Sequence, residues 1–353
     1  MNLVEFKQQF EPGFDAVIRA RLETFFALSQ DEFLNTLVGH SLNILSGGKR
    51  LRPYLAYLGY TAGGGQASVS EMQHLGTGLE LFHAFCLVHD DIIDKALMRR
   101  GVPTIDDIAL KALLANERHG DLAHIARGQA ILIGDLLHAY SLESIVKVSA
   151  LAGCHPDFMS EAYKMVDEVI VGQMIDVDMM TRTIHDQVLL ERKMYLKTAS
   201  YSFIRPFTLG LYAAGCDSAA HHEAAANIGE VIGIAFQLQD DALDITGTSA
   251  VLGKPVLSDI RDGQQTFLTA HVALHGDQAA QTLLREVMCG DASEAQVMEL
   301  QAVMLSGGAV AAAHERIDML LAQAKTLIAA SPFSAPVQSA MQDLVLVLSA
   351  RQT

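Results

Sequence analysis

A chain of 353 residues, half of them hydrophobic, has enough apolar material for one large core or two ordinary ones. Aromatics at 6%, no Trp and only 8 Pro argue against a sandwich or barrel and suit long helices. A formal net charge of −16 excludes a nucleic-acid partner, which needs a broad basic surface. Cys86, Cys154, Cys216 and Cys289 are far apart and form no CxxC pair, so they read as thiols of a reducing compartment. Glu5, Lys7, Glu11 and Asp15 in the first turns do not make a signal peptide. No uncharged apolar run reaches the ~18 residues of a membrane span. A cytoplasmic protein with no stable membrane insertion is expected.

In chain order, helical spacing runs from Val4 to Leu45, with a break expected at Glu11-Pro12-Gly13 and a stop at Gly47-Gly48. A basic block follows, Lys49-Arg50-Leu51-Arg52-Pro53, and then the apolar stretch Tyr54 to Tyr60. Ser68-Val69-Ser70-Glu71 has the form of a capping box, from which a long helix runs through Met72 and Phe85 to Asp94. Arg99, Arg100 and Gly101 mark its end, and Val102-Pro103-Thr104 is a turn. Ile105 to His124 is charge-rich and reads as an exposed helix-loop insertion with a surface pair, Asp106-Asp107. Further helices are expected at Gln129 to Val148, with Asp135 as a cap or core partner, at Asp157 to Met180 and at Val188 to Ala214. Asp217 to Leu243 is another, and Gly247 to Asp262 reads as a loop. The remainder is helical, with a capping box expected at Asp291 to Glu294. No strand and no repeat of solenoid length is expected. The fold class is all-α, a single large bundle over residues 1–353 around a central cavity.

Two stretches stand out. Asp90-Asp91-Ile92-Ile93-Asp94 ends an apolar run, and on a helix Asp90 and Asp94 lie one turn apart, with Cβ atoms roughly 5–6 Å from each other. Like charges at that spacing repel, and a divalent cation removes the conflict. Asp240-Asp241-Ala242-Leu243-Asp244 repeats the pattern on a second apolar helix. Two such sets facing across a bundle interior would suit Mg²⁺, which keeps waters and takes a few carboxylates plus substrate phosphates. The basic residues Lys49, Arg50, Arg52, Arg99 and Arg100 abut these helices in an otherwise acidic chain. Arginine offers a planar, permanently charged fork for phosphate oxygens. Together these features point to an apolar substrate with a polyanionic head.

Five motifs occur in order: Gly47-Gly48-Lys49-Arg50-Leu51-Arg52-Pro53, then His83 with Asp90 to Asp94 and Arg99-Arg100-Gly101, then Lys197-Thr198, then Phe236-Gln237 with Asp240 to Asp244, then Gly253-Lys254. In this the chain resembles the trans-isoprenyl diphosphate synthases. The resemblance implies a prenyltransferase of isoprenoid biosynthesis that joins isopentenyl diphosphate to dimethylallyl, geranyl or farnesyl diphosphate. It implies three Mg²⁺ per site and a homodimer. By matching position, Asp90, Asp94 and Asp240 would hold Mg²⁺, with Asp91, Asp241 and Asp244 in support. Arg99, Lys197, Thr198, Gln237 and Lys254 would meet the allylic substrate. Gly48, Lys49, Arg52, His83 and Arg100 would hold isopentenyl diphosphate. Gln173 and Asp176 match an element near the growing chain. Ionisation of an allylic diphosphate makes a carbocation and a highly charged leaving group, so cations must be placed where that charge develops.

Two departures from the family are visible. Gln264 stands where a lysine is usual, which predicts weaker diphosphate stabilisation, and the connection from Gly101 to Gly134 is long. Phe85 and Cys86, five and four positions before Asp90, are the expected floor under the growing chain. A phenylalanine beside a small residue predicts a C20 product, geranylgeranyl diphosphate, with C15 farnesyl diphosphate next. Two other readings compete: a class I terpene cyclase, which needs neither the Gly47–Pro53 block nor a second aspartate set, and a non-catalytic subunit of a heteromeric synthase.

Overall fold

The computed structural model describes residues 1–45, 47–66, 68–99, 101–151, 153–182, 186–247, 256–290 and 292–350. Contacts group the chain into two compact units, Met1–Met159 with Leu209–Cys216, and Ser160–Thr208 with Asp217–Thr353. Both are helical, and no helix among the described residues is long and apolar enough to cross a membrane.

The first unit opens with α1 (Leu3–Ser29), capped by Asn2 and Glu5 in a reciprocal pair. The break expected at Pro12 does not occur; the helix runs on to Gln30, which takes a left-handed φ of 48°. An interior proline costs about 3 kcal/mol. Against that, Phe6, Phe10 and Phe14 are all buried and stack in series with ring centroids 5.5 Å apart. Burying each such side chain stabilises by roughly 1.5–3 kcal/mol, so the stack wins. Helix α2 (Glu32–Ser41) and a 3₁₀ turn (Leu42–Leu45) lead to Gly47 and Gly48, whose φ values of 77° and 79° supply the expected left-handed stop.

Helix α3 (Leu51–Ala62) receives the 209–216 segment at Gly210, where a Cβ would lie 2.1 Å from the Ala56 carbonyl oxygen. The Ser68–Glu71 bonds form but close a turn, and α4 (Gln73–Ile93) starts just beyond it. Helix α4 packs along α6 (Leu122–Ser149), which begins earlier than expected. They approach at Gly78, whose carbonyl accepts a 2.7 Å bond from Ser141 Oγ. Between α4 and α6 the sequence hides a ladder: Met98–Arg99 (β1) pairs antiparallel with Val102–Pro103 (β2), Arg99 opposite Val102. A two-residue strand has no periodicity to read. Helix α5 (Ile105–Ala115) is no exposed insertion, because Ile105, Ala109 and Leu113 lie four apart and bury one face, with α5 packed on α6.

The second unit takes most of α7 (Phe158–Met179), then α8 (Gln187–Met194), capped by Asp186. Helix α8 continues into ten residues of π-helix, Tyr195–Ile204, and then α9 (Arg205–Ala213). A run of that length is rare, since π-turns mostly occur singly. Glycines on both sides make room for it. A Cβ on Gly172 of α7 would lie 2.5 Å from the Lys197 amide nitrogen. One on Gly233 of α10 (Ala219–Thr246) would lie 2.3 Å from Ala199 Cα. Helix α10 is central, packed by the π-helix and by α15 (Ala309–Ala330). A short α11 (Ser258–Arg261), α12 (Phe267–His275), α13 (Gln278–Met288) and α14 (Glu294–Ser306) gather around Ile245, Leu268, Leu284, Leu300 and Met304. The α14 cap is Ser293 with Gln296, not the box expected from Asp291, which lies outside the described residues. Helix α16 (Ala335–Ser349) ends the chain, its Leu348 carbonyl accepting from Gln239 Nε2 at 3.1 Å.

Candidate active site

In the first unit, the last turn of α4 presents Asp90 and Asp91, and Asp94 caps the helix. Lys95 then takes a φ of 53° and turns the chain toward the hairpin. The ladder brings Arg99 back over the turn it left, with Nε 2.6 Å from Asp91 Oδ1 and a terminal nitrogen 3.6 Å from Asp90 Oδ2. Burial pushes the Asp91 carboxyl up to about 6 even with Arg99 beside it. Asp106, at the start of α5, adds to the negative field there; it is half-buried near Thr104 Oγ1, not a surface residue, and Asp107 pairs with Lys111 at 2.6 Å. Asp135 is neither cap nor core, since it is exposed, 3.6 Å from His89 Nε2.

The basic block divides. Lys49 is exposed, Arg52 and His83 are half-buried, and the Gly48 carbonyl accepts from Lys7 Nζ at 2.8 Å. Arg50 points inward instead of serving as a phosphate fork. It is buried, bonded to Glu80 at 2.7 Å and Glu11 at 3.0 Å, with its guanidinium 4.3 Å from the Phe14 ring centroid. The i, i+4 rule sets Cys86 under Asp90 and Phe85 under His89. The Phe85 ring stacks on His138 at 4.7 Å and meets His89 edge-on at 4.8 Å. Arg100 and Lys254 lie outside the described residues.

In the second unit, the π-helix and α10 assemble a relay. Thr198 Oγ1 donates to Gln237 Oε1, and Gln237 Nε2 donates to Asp241 Oδ1 at 2.7 Å. Asp241 is buried, which raises its carboxyl above the usual range, while Asp240 beside it is exposed. Asp244 is buried and turned to the loop: its oxygens accept from Ser258 Oγ at 2.9 Å and the Asp259 amide at 3.1 Å.

Two lysines share one carboxylate. Asp176 on α7 accepts from Lys193 Nζ at 2.8 Å and from Lys197 Nζ at 2.5 Å. Burial alone would raise Asp176, but the two ammonium groups hold it below its ordinary value. Lys193 also donates to the Gln265 carbonyl at 2.6 Å. Gln264, one residue before, is buried with its side-chain amide 3.7 Å from Met180 Sδ. Lys193 belongs to none of the five motifs; its one sequence signal is its place four residues before Lys197. A second unforeseen group anchors the π-helix. Glu168 on α7 accepts from Ser200 Oγ and from Arg205 Nε at 2.8 Å, and Arg205 also reaches Glu161 at 2.6 Å.

The donor set fits Mg²⁺. Both aspartate sets offer carboxylate oxygens, and two of their members, Asp91 and Asp241, are buried carboxyls whose charge a divalent cation would favour. Among the described residues no three acidic, histidine or cysteine side chains converge on one point. Mg²⁺ takes a few carboxylates and fills the rest of its shell with water and substrate phosphate.

The chain belongs to the polyprenyl synthetase family, whose sequence model matches residues 33–304, and is a trans-prenyltransferase that makes polyprenyl diphosphates. It is 30% identical to a short chain isoprenyl diphosphate synthase of Methanocaldococcus jannaschii, over 77% of this chain and 75% of that one. An octaprenyl diphosphate synthase of Haemophilus influenzae is 27% identical over 80% of this chain and 76% of its own. The solved structure of a geranylgeranyl pyrophosphate synthase from Corynebacterium glutamicum, complexed with isoprenyl diphosphate and magnesium, superposes with a TM-score of 0.91 at 27% identity, covering 99% of this chain and 100% of that one. The relatives' names span C20 to C40 products, so membership alone does not set the length.

Proposed function

We propose that the chain, acting as one catalytic domain, condenses isopentenyl diphosphate with dimethylallyl, geranyl and farnesyl diphosphates and releases geranylgeranyl diphosphate (C20), with farnesyl diphosphate (C15) the next product. The observation that carries this reading is the assembly of Lys197, Thr198, Gln237 and Asp241 on the π-helix and α10. Asp90, Asp94 and Asp240 would hold Mg²⁺, three ions per site. The metal supplies positive charge for the leaving diphosphate. Arg99 and Lys197 add theirs by exchanging a carboxylate partner for phosphate oxygens. Helix carbonyls near Thr198 and Gln237 would stabilise the developing cation, and Gln237 and Asp241 fix the threonine. Lys49, Arg52 and His83 receive isopentenyl diphosphate. Phe85, its ring fixed between His89 and His138, limits depth together with Cys86.

The working form is a homodimer in this reading. Ile125, Leu132 and Val146 on α6, seven and then fourteen residues apart, remain exposed, Leu132 at 63%, which is an unusual display for three large aliphatic side chains on one helix face. Leu132→Glu should convert a sedimenting dimer to monomer.

The test of function supplies isopentenyl diphosphate with C5, C10 or C15 allylic diphosphates and Mg²⁺ and sizes the products. C20 from each primer, and only with both substrates, is expected. Hydrocarbon released without isopentenyl diphosphate would identify a cyclase, and no turnover a non-catalytic subunit. Phe85→Ala should lengthen the product; an unchanged distribution removes Phe85 from the floor.

A further inference from the structure

We infer that Lys193 is a positioning residue, which neutralises Asp176 so that Lys197 can leave that carboxylate for the substrate diphosphate. The inference rests on the reading of Lys197 given above. Lys193 occupies the last turn of α8, one turn before Lys197, so the two ammonium groups project from neighbouring positions and repel. Asp176 sits between them, one oxygen to each.

The two lysines are not equivalent. Lys193 is held on a second side by the Gln265 carbonyl. Gln265 is itself fixed, its side-chain amide donating to the Met179 carbonyl at 2.6 Å and the Arg182 carbonyl at 2.8 Å. Lys193 therefore has two acceptors on two different segments and its side chain is 11% exposed. The Lys197 side chain is 25% exposed. Of the two, Lys197 is the more open to an arriving ligand.

Asp176 is 3% exposed. A carboxylate so placed cannot be left unpaired without a heavy desolvation penalty. Were Lys197 its sole partner, releasing Lys197 would incur that penalty and the lysine would stay. With Lys193 fixed on the other oxygen, Asp176 keeps a counter-ion throughout. Two ammonium groups face the Asp176 carboxylate, with Asp241 in the same field of charge, so Lys197 can turn to a diphosphate without leaving Asp176 bare. Lys193 also brings an ammonium to the Gly263–Thr266 segment, where Gln264 stands in place of the lysine that the family resemblance leads one to expect.

Lys193→Met, Lys193→Arg, Asp176→Asn and the Lys193→Met/Asp176→Asn double variant test this. The affinity for inorganic pyrophosphate is read by calorimetry, the allylic KM and kcat by turnover, and folding by thermal unfolding. Lys193→Met should bind pyrophosphate roughly tenfold more weakly and raise the allylic KM by a similar factor, because Asp176 then retains Lys197. Lys193→Arg should stay near the wild-type protein. Asp176→Asn, introduced into Lys193→Met, should recover most of the lost affinity, since no carboxylate remains to hold Lys197. If Lys193 served only packing, the second substitution would add damage or change nothing, and that result overturns the inference, as does unaltered pyrophosphate affinity in Lys193→Met. Should Lys193→Met not fold, Lys193→Gln takes its place in the same comparison. Failure of the underlying reading shows separately, as absence of turnover by the wild-type protein with both diphosphates.

Discussion

Arg50 and Arg52 stand two positions apart in one basic block, yet their environments assign them different work. Arg50 is buried against Glu80, Glu11 and the Phe14 ring, and it ties α1, α3 and α4 together. Breaking a buried ion pair from one side costs about 3–5 kcal/mol. Arg50→Met should therefore lower the unfolding temperature sharply and leave the KM for isopentenyl diphosphate unchanged in the protein that remains folded. Arg52→Ala should do the opposite, a raised KM with little change in melting. Measuring both quantities on both variants separates the roles, and a stable Arg50→Met protein with poor substrate affinity would reverse them. Asp241 offers a second contrast at this scale. It is a buried carboxylate whose charge burial disfavours, a cost that the proposed catalytic role would account for. Asp241→Asn should melt higher than the wild-type protein, by roughly 1–3 kcal/mol in stability, while losing activity.

The π-helix carries Lys197 and Thr198, and it is held by ions as well as by shape. Glu168 pairs with Arg205 and Ser200, at the C-terminal end of the wide turns that carry Lys197 and Thr198. Burial would raise the Glu168 carboxyl, but Arg205 and Ser200 hold it below its ordinary 4.5. A group depressed in the folded state stabilises above its unfolded pKa and loses that contribution as pH falls through the folded one. Glu168→Gln should thus cost about 1.5–3 kcal/mol at pH 7, the range for a hydrogen bond to a charged group. The gap to the wild-type protein should close as unfolding is followed below pH 4.5; a gap that persists into strong acid would mean the carboxylate charge is not what anchors the helix. None of this was legible in the chain. Val188 to Ala214 reads as one ordinary helix, because π-register is imposed by neighbours, here by Gly172 and Gly233, and leaves no periodicity of its own. Pro12 misled for a related reason: its local penalty is real, but three stacked phenylalanines outweigh it. By contrast, Gly47 and Gly48 were readable, because positive φ is a single-residue property. So was the placement of both aspartate sets near the ends of long apolar helices. Arg50 and Lys193 were not, since a lysine or arginine in sequence does not say which side of a helix it will occupy.

At the scale of the whole molecule, each compact unit carries one aspartate set on a long helix, and the chain carries a net charge of −16. Such a protein stores unfavourable carboxylate density in its ligand-free state, and ligand should repay it as stability. A ligand that binds only the folded protein adds RT ln(1 + [L]/Kd), about 2.7 kcal/mol at a hundredfold excess over Kd. For a chain of this size each kcal/mol moves the melting temperature by roughly 2–4 °C. Mg²⁺ with inorganic pyrophosphate should therefore raise the unfolding temperature by roughly 5–10 °C, whereas Mg²⁺ alone should do much less, because Mg²⁺ binds through a few carboxylates together with phosphate oxygens. EDTA should reverse the shift. Asp90→Asn and Asp240→Asn should each remove most of it, with melting in EDTA followed in parallel to separate lost binding from lost folding. If Asp240→Asn kept the full shift and Asp90→Asn lost it, the second aspartate set would have no share in holding the diphosphate, and its resemblance to the first would be one of sequence alone.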